Sequence, residues 1–337
     1  MKKRLLILFS VLCLLAIGTA LALAAGAWYW SQRPLALSAD KLDFVVEPGT
    51  TPRGIARQAR EAGIDLWEPG FVWMARLTER DKLIKAGGYE VNRGDSAWKL
   101  LERLARGDMS QRQITFVEGW RYTQILDALR AHPDVRQTLN GATGRELAQL
   151  LGVEHQNVEG LLFPDTFLFT PGTTDVDLLR RSMREGERVL EKIWAQRDPD
   201  IPLKTPYEAL IMASIVEKET GHGADRDRVS GVFANRLRIG MPLQTDPTVI
   251  YGMGESYDGR IRRKDLQTDT PWNTYTRNGL PPTPIASPGR LALLAAVRPE
   301  SHKYFYFVSR GDGTSAFALN LAEHNRNVAR FILGRNQ

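Results

Sequence analysis

A helix pattern that ends in carboxylates carries the clearest catalytic signal. Residues 209–216 are apolar or small, Glu217 follows directly, and Glu219 comes two positions later. At about 100° per residue, Glu217 lies on the side of Ala213 and Ser214, and small neighbours leave room for a ligand there. Glu219 falls roughly on the opposite side. Apolar surroundings raise a carboxyl pKa, so we favour Glu217 as a general acid. In the alternative, these acids only solvate the end of a core helix.

The boundaries of this helix are marked by capping residues. Thr205 is a typical N-cap, Pro206 suits the first helical position, and Glu208 completes a capping box. Gly221 is a natural residue for the C-terminal end. The pattern therefore predicts a helix that begins after Thr205 and ends at Gly221.

The N-terminal segment has the composition of a membrane anchor. Basic residues at positions 2–4 precede a charge-free run from Leu5 to Trp30, and aromatic residues at 28–30 close it. As a helix the run would be about 39 Å long, enough to cross a bilayer core of about 30 Å. The basic residues predict a cytoplasmic N-terminus, and the aromatic residues predict the far interface. We expect everything after Ser31 to lie outside the cytoplasm.

A cleaved signal peptide is the competing interpretation of this segment. Residues 22–24 resemble a small-residue cleavage site, but the apolar run is longer than a signal core of about 15 residues. The only cysteine, Cys13, lies inside the run after Leu12, so neither a disulfide framework nor a lipid-attachment box is available. We therefore favour a retained anchor, with an ectodomain held together by its core.

The charge of the chain favours an anionic partner. Its 337 residues carry a net charge of +6, and the basic residues are spread along the chain without forming blocks. A polymer bearing carboxylates or the headgroups of anionic lipids would match this charge, and simple solubility would also explain it. We expect no nucleic-acid partner for a chain outside the cytoplasm.

A strand, a glycine turn and a capped helix recur in the first half of the chain. One copy runs from the strand Leu42–Val46 to a helix at Thr51, and a second runs from Glu90 to the helix Ala97–Arg106. A third, shorter copy begins at Phe116. Units of this shape resemble the lysin motif, a small βααβ module that binds polymers of N-acetylglucosamine. The resemblance implies glycan contact, whereas a pure packing role is the alternative.

Sequence patterns also predict helices and a hairpin in the rest of the chain, and one long stretch has no regular pattern. Residues 240–289 are rich in Pro, Gly, Thr and Asn, and so long an irregular segment is usually functional. A hairpin is predicted around Gly311-Asp312-Gly313. Helices are predicted at Asp175–Ala195, Arg226–Arg238 and Ala322–Leu333.

Most common catalytic chemistries lack their motifs in this chain. Its five histidines are scattered, with no His-Glu-x-x-His pair, and we predict no metal site and no cofactor. The usual serine-nucleophile and phosphate-loop motifs are missing. Carboxylate chemistry beside a polar, aromatic loop remains. Amide, carboxylate and ring side chains of the types that bind sugars occur in that loop at Gln244, Asp246, Asn273 and Tyr275.

Several long segments together resemble one family. They are Glu159-Gly160 through Thr166, Ala213 through Thr220, Val232-Phe233-Ala234-Asn235-Arg236-Leu237, Leu243 through Gly252, Asn273-Thr274-Tyr275 and Gly279 through Ile285. The chain is similar in these motifs to the YceG-like endolytic murein transglycosylases. Residues 286–289 continue the likeness, with Ser287 where many relatives carry asparagine.

This resemblance implies a function and a place in the cell. It places the family's essential glutamate at Glu217 and implies cleavage between N-acetylmuramic acid and N-acetylglucosamine in nascent peptidoglycan strands. The product would carry a 1,6-anhydro end, and cleavage would end strand elongation beside the peptidoglycan synthases. The enzyme would be anchored by one helix in the bacterial inner membrane, with its catalytic domain in the periplasm.

Two alternatives remain at the level of the sequence. If Asp246 activates water or attacks the sugar, the chain is a hydrolytic muramidase, since hydrolases need a second carboxylate at a defined distance. If Glu217 is structural, the chain is an anchored scaffold that binds glycan without cutting it.

The predicted fold class is α+β, behind a single transmembrane helix. We predict a cytoplasmic tail at 1–4, the transmembrane helix at 5–30 and a linker at 31–41. A lysin-motif-like subdomain is predicted at 42–112, followed by a YceG-like catalytic domain at 113–337.

Overall fold

The computed structural model of the protein describes residues 2–334. The predicted tail at 1–4 therefore begins outside the described residues, and the predicted catalytic domain at 113–337 ends outside them. The structure is a mixture of helices and short paired strands, as the predicted α+β class requires. It forms two compact units. The first extends to Gln113 and also includes Asp134–Arg136 and Leu168–Thr173, and the second takes the rest of the described chain.

The first unit begins with a long apolar helix. Helix α1 covers Lys2–Gln32 and contains one segment, Ile7–Gln32, that is long and apolar enough to cross a membrane, and the most apolar 18 residues of that segment are all unburied. Within the predicted linker at 31–41, α1 continues to Gln32 and Ala36–Leu37 forms a short strand. The other elements of this unit are β1 (Ala36–Leu37), β2 (Lys41–Val46), α2 (Pro52–Glu61), β3 (Ile64–Asp65), α3 (Glu68–Leu77), β4 (Gly87–Asn92) and α4 (Ala97–Arg106).

Two antiparallel strand pairs organise this unit. Strand β2 pairs with β4 from Lys41↔Asn92 to Val46↔Gly87, and β1 pairs with β3. The chain order β2, α2, β3, α3, β4 places two helices between the paired strands β2 and β4. Helix α4 has an N-cap at Ser96 and buries its predicted apolar stripe, including Leu100, Leu101 and Leu104. These residues join Phe71, Tyr89 and other apolar side chains in one core.

The second unit is mainly helical. Strand β5 (Arg112–Thr115) pairs with β6 (Thr166–Phe169), and only part of each strand belongs to this unit. The elements that lie wholly within it are α5 (Tyr122–Ala131), α6 (Gly144–Leu151), α7 (Asp175–Trp194), α8 (Pro206–Glu219), α9 (Arg226–Arg238), α10 (Asp246–Met253), α11 (Arg263–Gln267), α12 (Arg290–Val297), β7 (Tyr306–Ser309), β8 (Ser315–Ala318) and α13 (Leu321–Phe331). The predicted helices and the hairpin are confirmed. The stretch 240–289 contains two short helices, α10 and α11, and is otherwise largely irregular.

Helix α8 is the centre of this unit. Its residues from Ala209 to Val216 are all buried, because α7, α9 and α12 pack around it. A helix that is apolar on every side needs such complete cover. The side chain of Thr205 accepts a hydrogen bond from the Glu208 backbone N–H, as predicted for the N-cap. The helix ends at Glu219, two residues before the predicted Gly221, because Thr220 has an extended backbone.

Candidate active site

Glu217 is the first side chain of α8 that leaves the core. It follows eight buried residues and is itself half-buried. A carboxylate on the last turn of a fully packed helix is held in a fixed position. This rigidity suits a group that must deliver a proton to a defined atom.

The small residues beside Glu217 make room for the chain itself. Ser214 is fully buried, and its Oγ accepts a hydrogen bond of 3.0 Å from the Ile285 backbone N–H while it donates to the Ile211 carbonyl. Room for a ligand beside Glu217 stays a prediction, because the chain itself occupies only the space beside Ala213 and Ser214. A segment that starts at Ile285 fills it and continues to Gly289 at the carboxylate.

Gly289 holds the Glu217 carboxylate. Its backbone N–H donates to Oε2 of Glu217 at 2.9 Å. Gly289 is also the N-cap of α12, and the positive end of a helix dipole favours a negative group at this position. The hydrogen bond fixes one carboxylate oxygen.

A second carboxylate lies over the same glycine. A Cβ added at Gly289 would be 1.8 Å from Oε1 of Glu118, so no side chain can be placed at this position without moving Glu118. The backbone φ of Gly289 is −76°, which any residue can adopt. A side chain at Gly289 therefore requires the exposed side chain of Glu118 to move. Glu118 and Glu217 flank Gly289 as a pair of acids.

The turn that carries Glu118 is fastened on both sides. The Gly119 backbone N–H donates to the Ser287 carbonyl at 2.8 Å, and the Ser287 N–H donates to the Trp120 carbonyl at 2.7 Å. Lys218 on α8 donates from Nζ to the Gly119 carbonyl at 3.2 Å. Gly119 has φ +76°, a left-handed conformation that favours glycine. This turn was predicted only as part of the third strand-turn-helix copy, and Glu118 was not predicted as a site residue.

The surroundings of Glu217 favour its protonated form. Burial raises the pKa of Glu217 above its usual value, and the negative charge of Glu118 raises it further. The Gly289 N–H, Arg226 and Lys218 act in the opposite direction, and the net shift is upward. A carboxyl group with a raised pKa keeps a proton to donate nearer to neutral pH.

A different acid, Glu219, lies at a second site. Thr245 donates from Oγ1 to Oε2 of Glu219 at 2.8 Å, and Tyr275 donates from its hydroxyl to Oδ1 of Asp246 at 2.6 Å. Burial, with a contribution from the Asp246 charge, raises the pKa of Glu219 to about 7. A cavity of about 310 Å³ lies here. Its lining includes Glu219, Arg236, Gln244, Asp246, Tyr275 and His324.

Comparison with known proteins identifies the family. Residues 44–330 match the YceG-like family. The chain belongs to this family. A Bacillus subtilis protein named endolytic murein transglycosylase is 32% identical over 271 residues, covering 75% of this chain and 74% of that protein.

Two further relatives agree with this assignment. A Streptococcus pneumoniae protein with the same name is 26% identical, and the match covers 92% of this chain but only 63% of that longer protein. A crystal structure of a YceG-like protein from Listeria monocytogenes has a TM-score of 0.55 at 26% identity. It covers 86% of this chain and 99% of that one.

In this YceG-like protein, three of the predicted sugar-binding residues line the cavity beside Glu219. Their contacts are separate from those of Glu217. Gln244 and Tyr275 line the cavity with Asp246, and Gln244 adopts a left-handed φ of +46°. A non-glycine residue with such a backbone is often found at functional sites. Gln244, Asp246 and Tyr275 are thus brought together.

Asn273 has a different position from the other three. It is only 1% exposed, and its amide nitrogen donates to the backbone carbonyls of Asp265, Leu266 and Thr268. Its Oδ1 accepts from the Tyr275 backbone N–H at 2.8 Å. The side chain is therefore occupied in closing the loop that presents Tyr275. Its predicted direct contact with a sugar stays a prediction.

A third buried acid, Glu159, supports the turn of Glu118. Oε1 of Glu159 accepts from the Tyr122 backbone N–H at 3.0 Å, at the first residue of α5. Burial raises the pKa of Glu159 to about 7, although this N–H and the nearby Arg121 lower it. Arg121 lies over the ring of Tyr251 and donates to the Ile250 carbonyl. Glu159 therefore positions the chain just after Trp120.

Within residues 7–334, no three His, Cys, Asp or Glu side chains lie close enough together to hold a metal ion. The chemistry described below uses carboxylates alone.

Proposed function

We propose that this chain is a membrane-anchored lytic transglycosylase that cuts within peptidoglycan glycan strands. The bond cut is the β-1,4 link between N-acetylmuramic acid and N-acetylglucosamine, and the product carries a 1,6-anhydro end. Two relatives named endolytic murein transglycosylase support the reaction class. The observation that carries the proposal is the pair of acids at Gly289, with a raised pKa at Glu217.

Glu217 performs both proton transfers in this proposal. In its protonated form it donates a proton to the glycosidic oxygen while the bond from that oxygen to C1 of the muramic residue breaks. The Glu217 carboxylate then takes the proton of the C6 hydroxyl, and O6 forms a bond to C1. One proton leaves Glu217 and one returns, so the residue is regenerated and no water is consumed.

Glu118 supports this cycle through its charge. Positive charge develops on the sugar ring when the glycosidic bond breaks. A carboxylate beside Glu217 stabilises this charge and keeps the general acid protonated beforehand. Both effects need the two acids close together, and Gly289 allows this because it lacks a side chain.

The cavity at Glu219 is the proposed binding site for flanking sugars. Gln244, Asp246 and Tyr275 offer an amide, a carboxylate and an aromatic ring, which suit the hydroxyl and acetamido groups of a glycan. Asn273 contributes indirectly, through the backbone of Tyr275. Glycan strands are the only substrate proposed.

The anchor sets where the reaction occurs. We place α1 across the bacterial inner membrane with a cytoplasmic N-terminus, on the strength of its apolar segment Ile7–Gln32. The rest of the chain then lies in the periplasm, where nascent strands and the synthases that extend them are within reach. Cleavage at this level would end strand elongation. The order β2, α2, α3, β4 supports a lysin-motif-like role for the first unit.

A hydrolytic muramidase is the second candidate, and the position of Glu118 favours it. A carboxylate paired with an acid can attack C1 or activate water, with separations of about 5 Å for the first route and more for the second. Glu118 flanks the same glycine as Glu217, whereas Asp246 contacts Tyr275 and its charge acts on Glu219. Glu118 thus replaces Asp246 as the second acid of this alternative.

Product mass distinguishes the two reactions. Purified glycan strands are incubated with the full chain in detergent, and their new ends are analysed by mass spectrometry. A transglycosylase gives anhydro ends, which are lighter by one water than the reducing ends made by a hydrolase. Reducing ends alone would overturn the proposed reaction in favour of the muramidase.

A further inference from the structure

Helix α3 of the first unit has two apolar faces, and only one of them is buried. Phe71 and Ala75 point into the core and are fully buried. On the opposite side Trp73 is 64% exposed and Leu77 is 76% exposed. Large apolar residues that share an exposed helix face mark an interaction surface. We call Trp67, Gly70, Trp73, Met74 and Leu77 the outer face of α3.

The outer face of α3 is joined to the end of the anchor helix. The rings of Trp30 on α1 and Trp67 pack edge to face at 5.2 Å between centroids. A side chain on Gly70 would clash with the rings of both tryptophans, so this glycine permits the contact. The end of α1 and the outer face of α3 therefore form one continuous apolar surface.

This surface contains a cavity of about 600 Å³. Aromatic residues dominate its lining, which includes Trp28, Trp30, Trp67, Trp73 and Trp98. Residues of α1 and of the outer face of α3 both contribute to it. Its size and apolar lining suit a hydrocarbon chain, and its tryptophans are typical of the membrane–water interface.

The length of α1 places the cavity at the level of the lipid headgroups. A helix of 31 residues is about 46 Å long, whereas the bilayer core is about 30 Å thick. The last two turns of α1, which line the cavity, therefore lie at the bilayer surface. Exposed basic residues occur nearby in the chain at Arg33, Arg76 and Lys82, and their charge complements anionic headgroups.

We propose that the cavity and the outer face of α3 bind an acyl chain of a phospholipid in the leaflet at the C-terminal end of α1. A lipid beside α1 at this depth contacts the cavity directly, because residues of α1 line the cavity. The bound lipid fixes the first unit on the membrane surface. This inference rests on the anchor in the proposed function, and it adds a lipid site that the anchor alone does not require.

Site-directed fluorescence in vesicles tests the lipid site. The full chain with Cys13→Ser carries a single new cysteine, either Trp73→Cys or Leu77→Cys, labelled with an environment-sensitive NBD dye. Both positions are exposed, so neither change removes a core contact. The matched control is Glu47→Cys, an exposed position of the same unit at the far end of β2. The labelled chains are reconstituted into phosphatidylethanolamine and phosphatidylglycerol vesicles, with and without lipids that carry a doxyl quencher near the headgroup.

We expect the dye at 73 and at 77 to emit at shorter wavelength and to lose at least half of its fluorescence to the doxyl lipid, while the dye at 47 behaves as in water. Dyes at 73 and 77 that match the one at 47 would overturn the proposal. If the dyes are shielded from water only at a high protein-to-lipid ratio and are not quenched by the doxyl lipid, a second copy of the chain covers the surface. That result would also overturn the proposal.

Vesicle flotation separates this inference from the anchor. Protein that floats with vesicles while its dyes remain unquenched contradicts only the lipid site. Protein that does not float contradicts the proposed anchor, and the lipid site is then wrong with it.

Discussion

A Cβ on Gly289 would lie 1.8 Å from Oε1 of Glu118, so the carboxylate of Glu118 occupies the space over this glycine. The backbone N–H of Gly289 meanwhile holds Glu217. Because Gly289 has no side chain, Glu118 and Glu217 can approach each other, and substitutions at Gly289 test this pair.

We expect Gly289→Ala to reduce activity without unfolding the chain. The new methyl group must displace the flexible end of Glu118, whereas the backbone φ of −76° accepts alanine. We predict that kcat/KM falls about tenfold or more. The free energy of unfolding should fall by only about 1 kcal/mol, which is the usual cost of alanine at an N-cap. The matched control is Gly221→Ala, where the added Cβ meets open space. Equal activity of the two variants would contradict the role of Gly289.

The pKa contribution of Glu118 to Glu217 can be read from a pH profile. Glu118 raises the pKa of Glu217, so Glu118→Gln should lower that pKa, and the alkaline limb of kcat/KM should move to lower pH. Arg226 lowers the same pKa, so Arg226→Gln should move the limb to higher pH. Profiles measured on purified strands check both signs. Shifts in the same direction would contradict the assignment of the limb to Glu217.

Glu159 should make the second unit less stable as the pH rises. Its pKa is raised from 4.5 in the unfolded chain to about 7 by burial, so the folded state binds more protons between these values. The free energy of unfolding therefore falls from about pH 4.5 to about pH 7, by at most about 3 kcal/mol for this group. Glu159→Gln should flatten the dependence. Denaturant unfolding of both proteins at pH 5 and pH 7 measures it, and an unchanged dependence would contradict this account.

Tyr275→Phe should weaken strand binding and leave the chemical step intact. The hydroxyl donates to Asp246 at 2.6 Å, and a hydrogen bond to a charged group contributes about 1.5–3 kcal/mol. We expect KM for glycan strands to rise about tenfold with kcat nearly constant. The control Tyr257→Phe makes the same change at a tyrosine outside the cavity. If KM is unaffected by Tyr275→Phe, the cavity at Glu219 is not a sugar-binding site.

Local sequence signals predicted the elements well and the site only partly. The N-cap at Thr205, the apolar stripe of α4 and the final hairpin depend on near neighbours in sequence, and each was predicted. The filling of the space beside Ser214 was not predicted, because the segment that fills it lies about 70 residues away in sequence. Glu118 was missed for the same reason, since only the folded chain brings it over Gly289.

The predicted sugar-binding set shows the same limit. Residue type alone suggested Asn273 as readily as Tyr275, yet the amide of Asn273 is used by three backbone carbonyls. Only the hydrogen bonds of the folded loop distinguish a side chain that supports the site from one that lines it.

The most direct test of the account is the effect of Glu217→Gln on strand ends. Full-length wild type, Glu217→Gln and the exposed control Glu191→Gln are incubated with purified glycan strands, and anhydro ends are counted by mass spectrometry. We predict that Glu217→Gln loses about a thousandfold or more in rate while Glu191→Gln matches the wild type. A folded Glu217→Gln variant that forms anhydro ends at the wild-type rate would contradict the central claim.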